Sequence, residues 1–157
     1  MDIQKCRIFI QLFIVSCVAT IIDQLSKKTV FEFLEKTEHG EIMLIPKIVN
    51  FEYVTNTGGF WGVLRGHNKI ITIINIIVFP LLFVIFKKFI FISWWQRLGL
   101  GLIIGGALGN ILDRIFLGYV RDFVHLIFIP WPVFNGADIF ISLGAIIMLL
   151  SLLKEKG

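Results

Sequence analysis

Four aspartates, Asp23, Asp113, Asp122 and Asp138, stand at or beside the ends of long apolar segments, in company with Lys27, Asn110, Arg114 and Asn135. An ionisable group near hydrocarbon costs roughly 2–3 kcal/mol on insertion scales, so such residues are usually paired and often functional. Two carboxylates brought within hydrogen-bonding distance repel each other and share one proton. One can then take a proton from a bound water while the other protonates a carbonyl. Asp122 and Asp138 flank 15 residues, a stretch long enough to fold back and bring them together, although the spacing alone does not make them meet.

Each residue also has a simpler reading. Asp138 can cap the helix that follows it. Asp23 and Lys27, four apart, can form an interfacial ion pair, and Asn110 and Arg114 have the same spacing. Arg114 can neutralise Asp113 or anchor at the headgroups, and His125 reads as a surface residue. His39, His67 and His125 lie far apart, and no His or Cys pair has metal-ligand spacing, so no metal is expected. Cys6 and Cys17 read as free, buried thiols.

The elements that must carry these groups follow from composition. Of 157 residues, 57% are hydrophobic and only 17% charged, and the mean hydropathy is +0.87, which excludes a soluble domain. A bilayer core takes about 20 helical residues to cross. Four apolar blocks predict helices over about 7–28, 70–86, 98–115 and 136–153, with a kink at Pro80 and Lys87 and Lys88 closing the second. Between the first two, an extracytoplasmic insertion over about 29–69 holds a short interfacial helix at Phe31–Leu34 and strands between Ile42 and Tyr53. A turn follows at Asn56-Thr57-Gly58-Gly59. Trp94, Trp95 and Arg97 sit in a short link at headgroup depth, and Asp122 and His125 in a polar loop. Gly101, Gly105 and Gly109 give the third helix a bare face for a neighbouring helix. The chain reads as one membrane-embedded domain over residues 1–157.

Charge sets the expected orientation. With both termini in the cytoplasm, the short inner segments hold Lys5, Arg7, Lys87, Lys88, Arg97, Lys154 and Lys156 against Asp2 and Glu155. The other eight basic and nine acidic residues fall on the longer outer segments, so basic density is higher inside. The polar cluster then lies near the outer face.

Five motifs in order resemble the lipoprotein signal peptidase (signal peptidase II) family from Ile22 to Asp138. They are Asp23-Gln24-Leu25-Ser26-Lys27; Ile45-Pro46 through Phe51-Glu52-Tyr53-Val54 and Asn56-Thr57-Gly58; Gly105 through Arg114; Val120-Arg121-Asp122-Phe123; and Trp131 through Asp138. Two departures stand out: Gly59-Phe60-Trp61-Gly62 replaces the family's Ala-Ala-Phe-Ser, and Ile139 replaces a frequent Ser. The resemblance implies an α-helical membrane protein of four transmembrane helices with a small extracytoplasmic β-sheet cradle and a short interfacial helix. It implies an aspartic endopeptidase that removes signal peptides from diacylglyceryl-modified prolipoproteins, cutting before the lipid-modified cysteine. Asp122 and Asp138 would be the catalytic pair. Asn110, Arg114 and Asn135 would position substrate and pair, with Asp23, Lys27 and Asn56 supporting and Asp113 held in a salt bridge. No cofactor or nucleic acid is implied. The partners would be membrane lipid and prolipoproteins, the protein a monomer, and its location a bacterial inner or plasma membrane.

Two rival classes make different demands. A small transporter or proton-relay subunit predicts acids at mid-helix and an inverted repeat, neither of which the sequence has. A structural membrane partner explains the glycines but not the aspartates. The charge pattern yields a direct test. A reporter active only outside the cytoplasm, fused after Lys156, is expected to stay silent, and a bright fusion would invert the topology.

Overall fold

In a computed structural model of the chain, residues 3–59, 66–86 and 93–154 are described. Their elements are α1 (Ile3–Leu34), β1 (Glu41–Ile45), β2 (Val49–Asn56), α2 (Asn68–Phe86), α3 (Trp94–Phe116), β3 (Val120–Leu126) and α4 (Gly136–Lys154). Cys6–Leu34, Trp94–Phe116 and Gly136–Lys154 are long and apolar enough to cross a membrane, while Asn68–Val78 is a shorter apolar helical stretch. The helical backbone of α2 continues past position 80. Lys87, Lys88, Phe60-Trp61-Gly62 and Lys156 lie outside the described residues.

Helix α1 overruns its expected end near residue 28. No glycine or proline interrupts residues 3–34, and the last turns are held by packing. Phe31 and Leu34 are buried with Phe123, and the Phe31 ring lies 4.2 Å from that of Tyr53. The short helix expected at Phe31–Leu34 is therefore the end of α1, and it seats the sheet. Helix α3 begins at Trp94, four residues before its expected start. Ser93 accepts from the Gln96 N–H and Gln96 reaches back to the Ser93 N–H, a capping box. Trp94 and Trp95 are thus helical and not in a link. Cys6 and Cys17 are free, as expected, but half-buried and not buried.

The sheet is antiparallel in the order β1-β2-β3. Its third strand corrects the expectation of a polar loop: Val54 pairs with Asp122, Asn56 with Val120 and Asn50 with His125. Arg121, Asp122 and His125 hid a strand that backbone pairing stabilises. Gly118, at φ +84°, turns the chain sharply from α3 into β3, a conformation that L side chains rarely adopt.

Lipid gives helices no hydrophobic reason to associate, so close backbone approach and hydrogen bonds must do so. Helices α1 and α3 run parallel, locked by a ladder. The Ser16 hydroxyl donates to the Gly101 carbonyl (3.2 Å), Thr20 to Gly105 (2.9 Å) and the Gln24 amide to Gly109 (3.0 Å). Donors and acceptors both step by four residues, about one turn. The bare face is required: a Cβ at Gly105 would lie 2.6 Å from both Ala19 Cβ and the Ser16 carbonyl oxygen. Helix α4 packs antiparallel on the other side of α3, where Gly99 and Gly144 each leave room for the other's carbonyl. Gly105→Leu is expected to cost at least about 1–3 kcal/mol by overpacking, seen as a lowered thermal midpoint in detergent. Leu108→Ala, on an exposed face of the same helix, should change it little. An unmoved midpoint in Gly105→Leu would rule out the close approach.

Candidate active site

Strand β3 and the start of α4 are brought together by backbone pairing. Phe134 donates to the Val124 carbonyl (3.0 Å) and accepts from the Phe123 and Val124 N–H groups (3.0 and 2.8 Å). This folds the 15-residue connection back on itself, so that Asp122 and Asp138 line one cavity of about 90 Å³. Asn56, Gly59, Asn110, Arg114 and Phe134 also line it.

The carboxylates are held by three asparagines. The Asn56 and Asn135 amides donate to the two oxygens of Asp122 (2.9 and 2.6 Å). The Asn110 amide donates to Asp138 Oδ1 (3.0 Å), while the Asn135 backbone N–H donates to Asp138 Oδ2 (3.1 Å). The Asp138 N–H donates in return to Asn135 Oδ1 (3.2 Å). Asn135 thus caps α4 and Asp138, in the first turn, reciprocates, while the same carboxylate faces the cavity. Asp122 is 3% exposed. Burial, and after it the Asp138 carboxylate, pushes its pKa up to about 7, against hydrogen bonds from Asn56 and Asn135 that pull it down.

Arg114 bridges the turn to the helix. It donates from Nη2 to the Gly58 carbonyl (3.1 Å) and from Nη1 to the Asn110 carbonyl (3.4 Å). The turn itself is an Asx turn in which Asn56 Oδ1 accepts from the Gly58 N–H (2.9 Å).

Behind the cavity lies a fully buried charge cluster. Lys27 Nζ is 2.8 Å from Asp23 and 3.6 Å from Asp113, and it donates to Asn110 Oδ1 (2.8 Å). Asp23 also accepts from the backbone N–H of Ala137 (2.7 Å), which fixes the start of α4. Asp113 is taken up by Arg121 (2.7 Å) and by the Gln24 amide (3.0 Å). All nine residues singled out in the sequence thus converge: Asp122, Asp138, Asn56, Asn110 and Arg114 around the cavity, Asn135 bonded to both aspartates, and Asp23, Lys27 and Asp113 behind. His125 stands apart and pairs with Glu52. Sequence reasoning assigned no role to Arg121 or Gln24. The available signal was their place inside Asp23-Gln24-Leu25-Ser26-Lys27 and Val120-Arg121-Asp122-Phe123, beside residues already singled out.

Comparison with known proteins bears on this site. Residues 15–154 match the family model described as signal peptidase (SPase) II. A lipoprotein signal peptidase of Streptococcus agalactiae is 37% identical over 144 residues, covering 92% of each chain. That of Trichormus variabilis is 37% identical over 152 residues, covering 97% of this chain and 93% of the relative. Two solved bacterial membrane enzymes share the fold. One has a TM-score of 0.77 at 28% identity, covering 93% of this chain and 89% of its own. The other scores 0.71 at 30% identity, covering 91% and 92%. With its membrane-capable helices, its three-stranded sheet and a family match across most of its length, the chain belongs to the signal peptidase II family of lipoprotein signal peptidases.

Proposed function

We propose that this bacterial membrane enzyme is an aspartic endopeptidase in which Asp122 and Asp138 activate one water against the peptide bond of a lipoprotein precursor. The observation that carries the reading is one small cavity lined by both carboxylates. Asp122, whose pKa burial pushes up to about 7, carries the proton of the pair below that pH and is the acid. Asp138, on the same cavity, is the ionised partner and the base. Water oxygen attacks the scissile carbonyl carbon, its proton passes to Asp138, and the Asp122 proton passes to the carbonyl oxygen. The tetrahedral diol then collapses. The C–N bond breaks, Asp138 returns its proton to the leaving amine, and a diol hydroxyl re-protonates Asp122, leaving both carboxylates as they began.

In the same reading the scissile bond precedes a cysteine that carries diacylglycerol, and lipid is a partner of the reaction. Helix α2 is a fourth span, both termini are cytoplasmic, the cavity lies near the outer face, and residues 1–157 act as one monomeric domain. Asn56, Asn110, Arg114 and Asn135 position the pair, with Asp23, Lys27 and Asp113 supporting them from behind.

Asp122→Asn and Asp138→Asn are each expected to lower cleavage of a lipid-modified prolipoprotein on the order of 10³-fold or more while the protein stays in the membrane. Asn keeps the shape but cannot exchange a proton. An Asp138→Asn variant near full turnover would reduce that residue to a helix cap. Asp113→Asn should instead lower the thermal midpoint and leave activity in the folded fraction; fold-neutral loss at Asp113 would move the pair.

The raised pKa of Asp122 fixes two pH dependences. In wild type, kcat/KM should fall as pH rises through about 7, where the Asp122 proton is lost. Because the folded pKa lies above the unfolded value of 3.8, the stability contributed by protonating Asp122 is present below 3.8 and lost as pH rises through about 7. Asp122→Asn, which cannot ionise, should therefore stabilise the protein at pH 8 by on the order of a few kcal/mol, read as a higher thermal midpoint, and by less at pH 5. A larger gain at pH 5 would contradict the burial of that charge.

A further inference from the structure

Arg121 directly precedes Asp122 on β3, so its side chain leaves the strand on the opposite face. Its backbone N–H and its Nε donate to Asp113 Oδ2 (3.0 and 3.2 Å). Its Nη2 donates to Asp113 Oδ1 (2.7 Å) and to Gln24 Oε1 (2.9 Å). One side chain thereby ties β3 to α3 and α1, one residue away from a cavity carboxylate. A planar guanidinium is suited to such two-point capture of a carboxylate in a way that an ammonium is not.

The charge balance makes Arg121 more than a strut. The groups facing one another here are Asp23 and Lys27 from α1, Asp113 and Arg114 from α3, Arg121 and Asp122 from β3, and Asp138 from α4. The side chains of Asp23, Lys27 and Asp113 have no exposed surface. With Arg121 on Asp113, Lys27 stays close to Asp23 and to Asn110 Oδ1, 2.8 Å from each, and Asn110 in turn holds Asp138. Without Arg121, two buried carboxylates would compete for one ammonium. Lys27 would be drawn toward Asp113, and an uncompensated negative charge would remain beside the cavity.

We propose that Arg121 is a positioning residue for the reaction: it fixes the stretch of β3 that aims Asp122 and, by neutralising Asp113, reserves Lys27 for the Asn110–Asp138 contact. The proposal rests on the two-aspartate reading, which Asp122→Asn tests separately.

The experiment compares Arg121→Gln, Arg121→Lys and the double variant Asp113→Asn/Arg121→Gln, each full-length in bilayers with a lipid-modified prolipoprotein, measuring kcat/KM against pH. Arg121→Gln is expected to lose about 10–100-fold and to move the alkaline limb to higher pH, because added negative charge holds the shared proton more tightly. Arg121→Lys keeps the charge, so its limb should stay in place while kcat remains below wild type. The double variant removes both charges and should return the limb to its wild-type position. Arg121→Gln with unchanged rate and limb overturns the proposal, as does a slower Arg121→Gln whose limb does not move. If Arg121→Gln does not fold, the lysine and double variants decide: full wild-type kcat in Arg121→Lys, or a displaced limb in the double variant, refutes it. Loss in these variants alongside an active Asp122→Asn would instead sink the two-aspartate reading.

Discussion

A lysine ammonium and two carboxylates without exposed surface persist inside a membrane protein only if each compensates another. Removing one partner of such a set strands a buried charge at a cost of several kcal/mol. Asp23, Lys27 and Asp113 therefore act as a clasp that closes only when the elements around them are in place. Helix α1 brings Asp23, Gln24 and Lys27, α3 brings Asn110 and Asp113, and β3 brings Arg121. Helix α4 begins where the Ala137 N–H meets Asp23. The cavity with Asp122 and Asp138 is the rim of that clasp, so its geometry inherits the precision with which the charges must be neutralised.

The sequence made some parts of this legible and hid others, for physical reasons. Apolar length located the four long helices of the described residues, three of them long and apolar enough to cross a membrane, because such length is a property of local composition. Their ends were less visible. The overrun of α1 depends on Phe31 and Leu34 packing under the sheet, a tertiary contact. The early start of α3 was readable in Ser93 and Gln96, whose spacing fits a capping box. Strand β3 escaped because Arg121, Asp122 and His125 break its apolar pattern, while its stability comes from pairing with β2. The meeting of Asp122 and Asp138 follows from Phe134 pairing with Val124, which no spacing rule contains. The family resemblance pointed to these residues; spacing could only permit them.

Size also constrains the chemistry. The cavity of about 90 Å³ lined by the two carboxylates has room for more than one water. That is room for an attacking water beside a peptide carbonyl. Under the proposed reading the bond to be cut enters between Asp122 and Asp138.

The ladder between α1 and α3 has a consequence for how such a chain can vary over time. Ser16, Thr20 and Gln24 meet the carbonyls of Gly101, Gly105 and Gly109 one for one, and Lys27 follows within the same helix. Substitutions on the lipid-facing side leave this correspondence intact. Inserting or deleting one residue between Ser16 and Lys27 rotates everything beyond it by about 100° and shifts it by about 1.5 Å, carrying Lys27 away from Asn110. Along the lipid-facing side of this stretch the spelling is free to drift, but the length of the stretch is not.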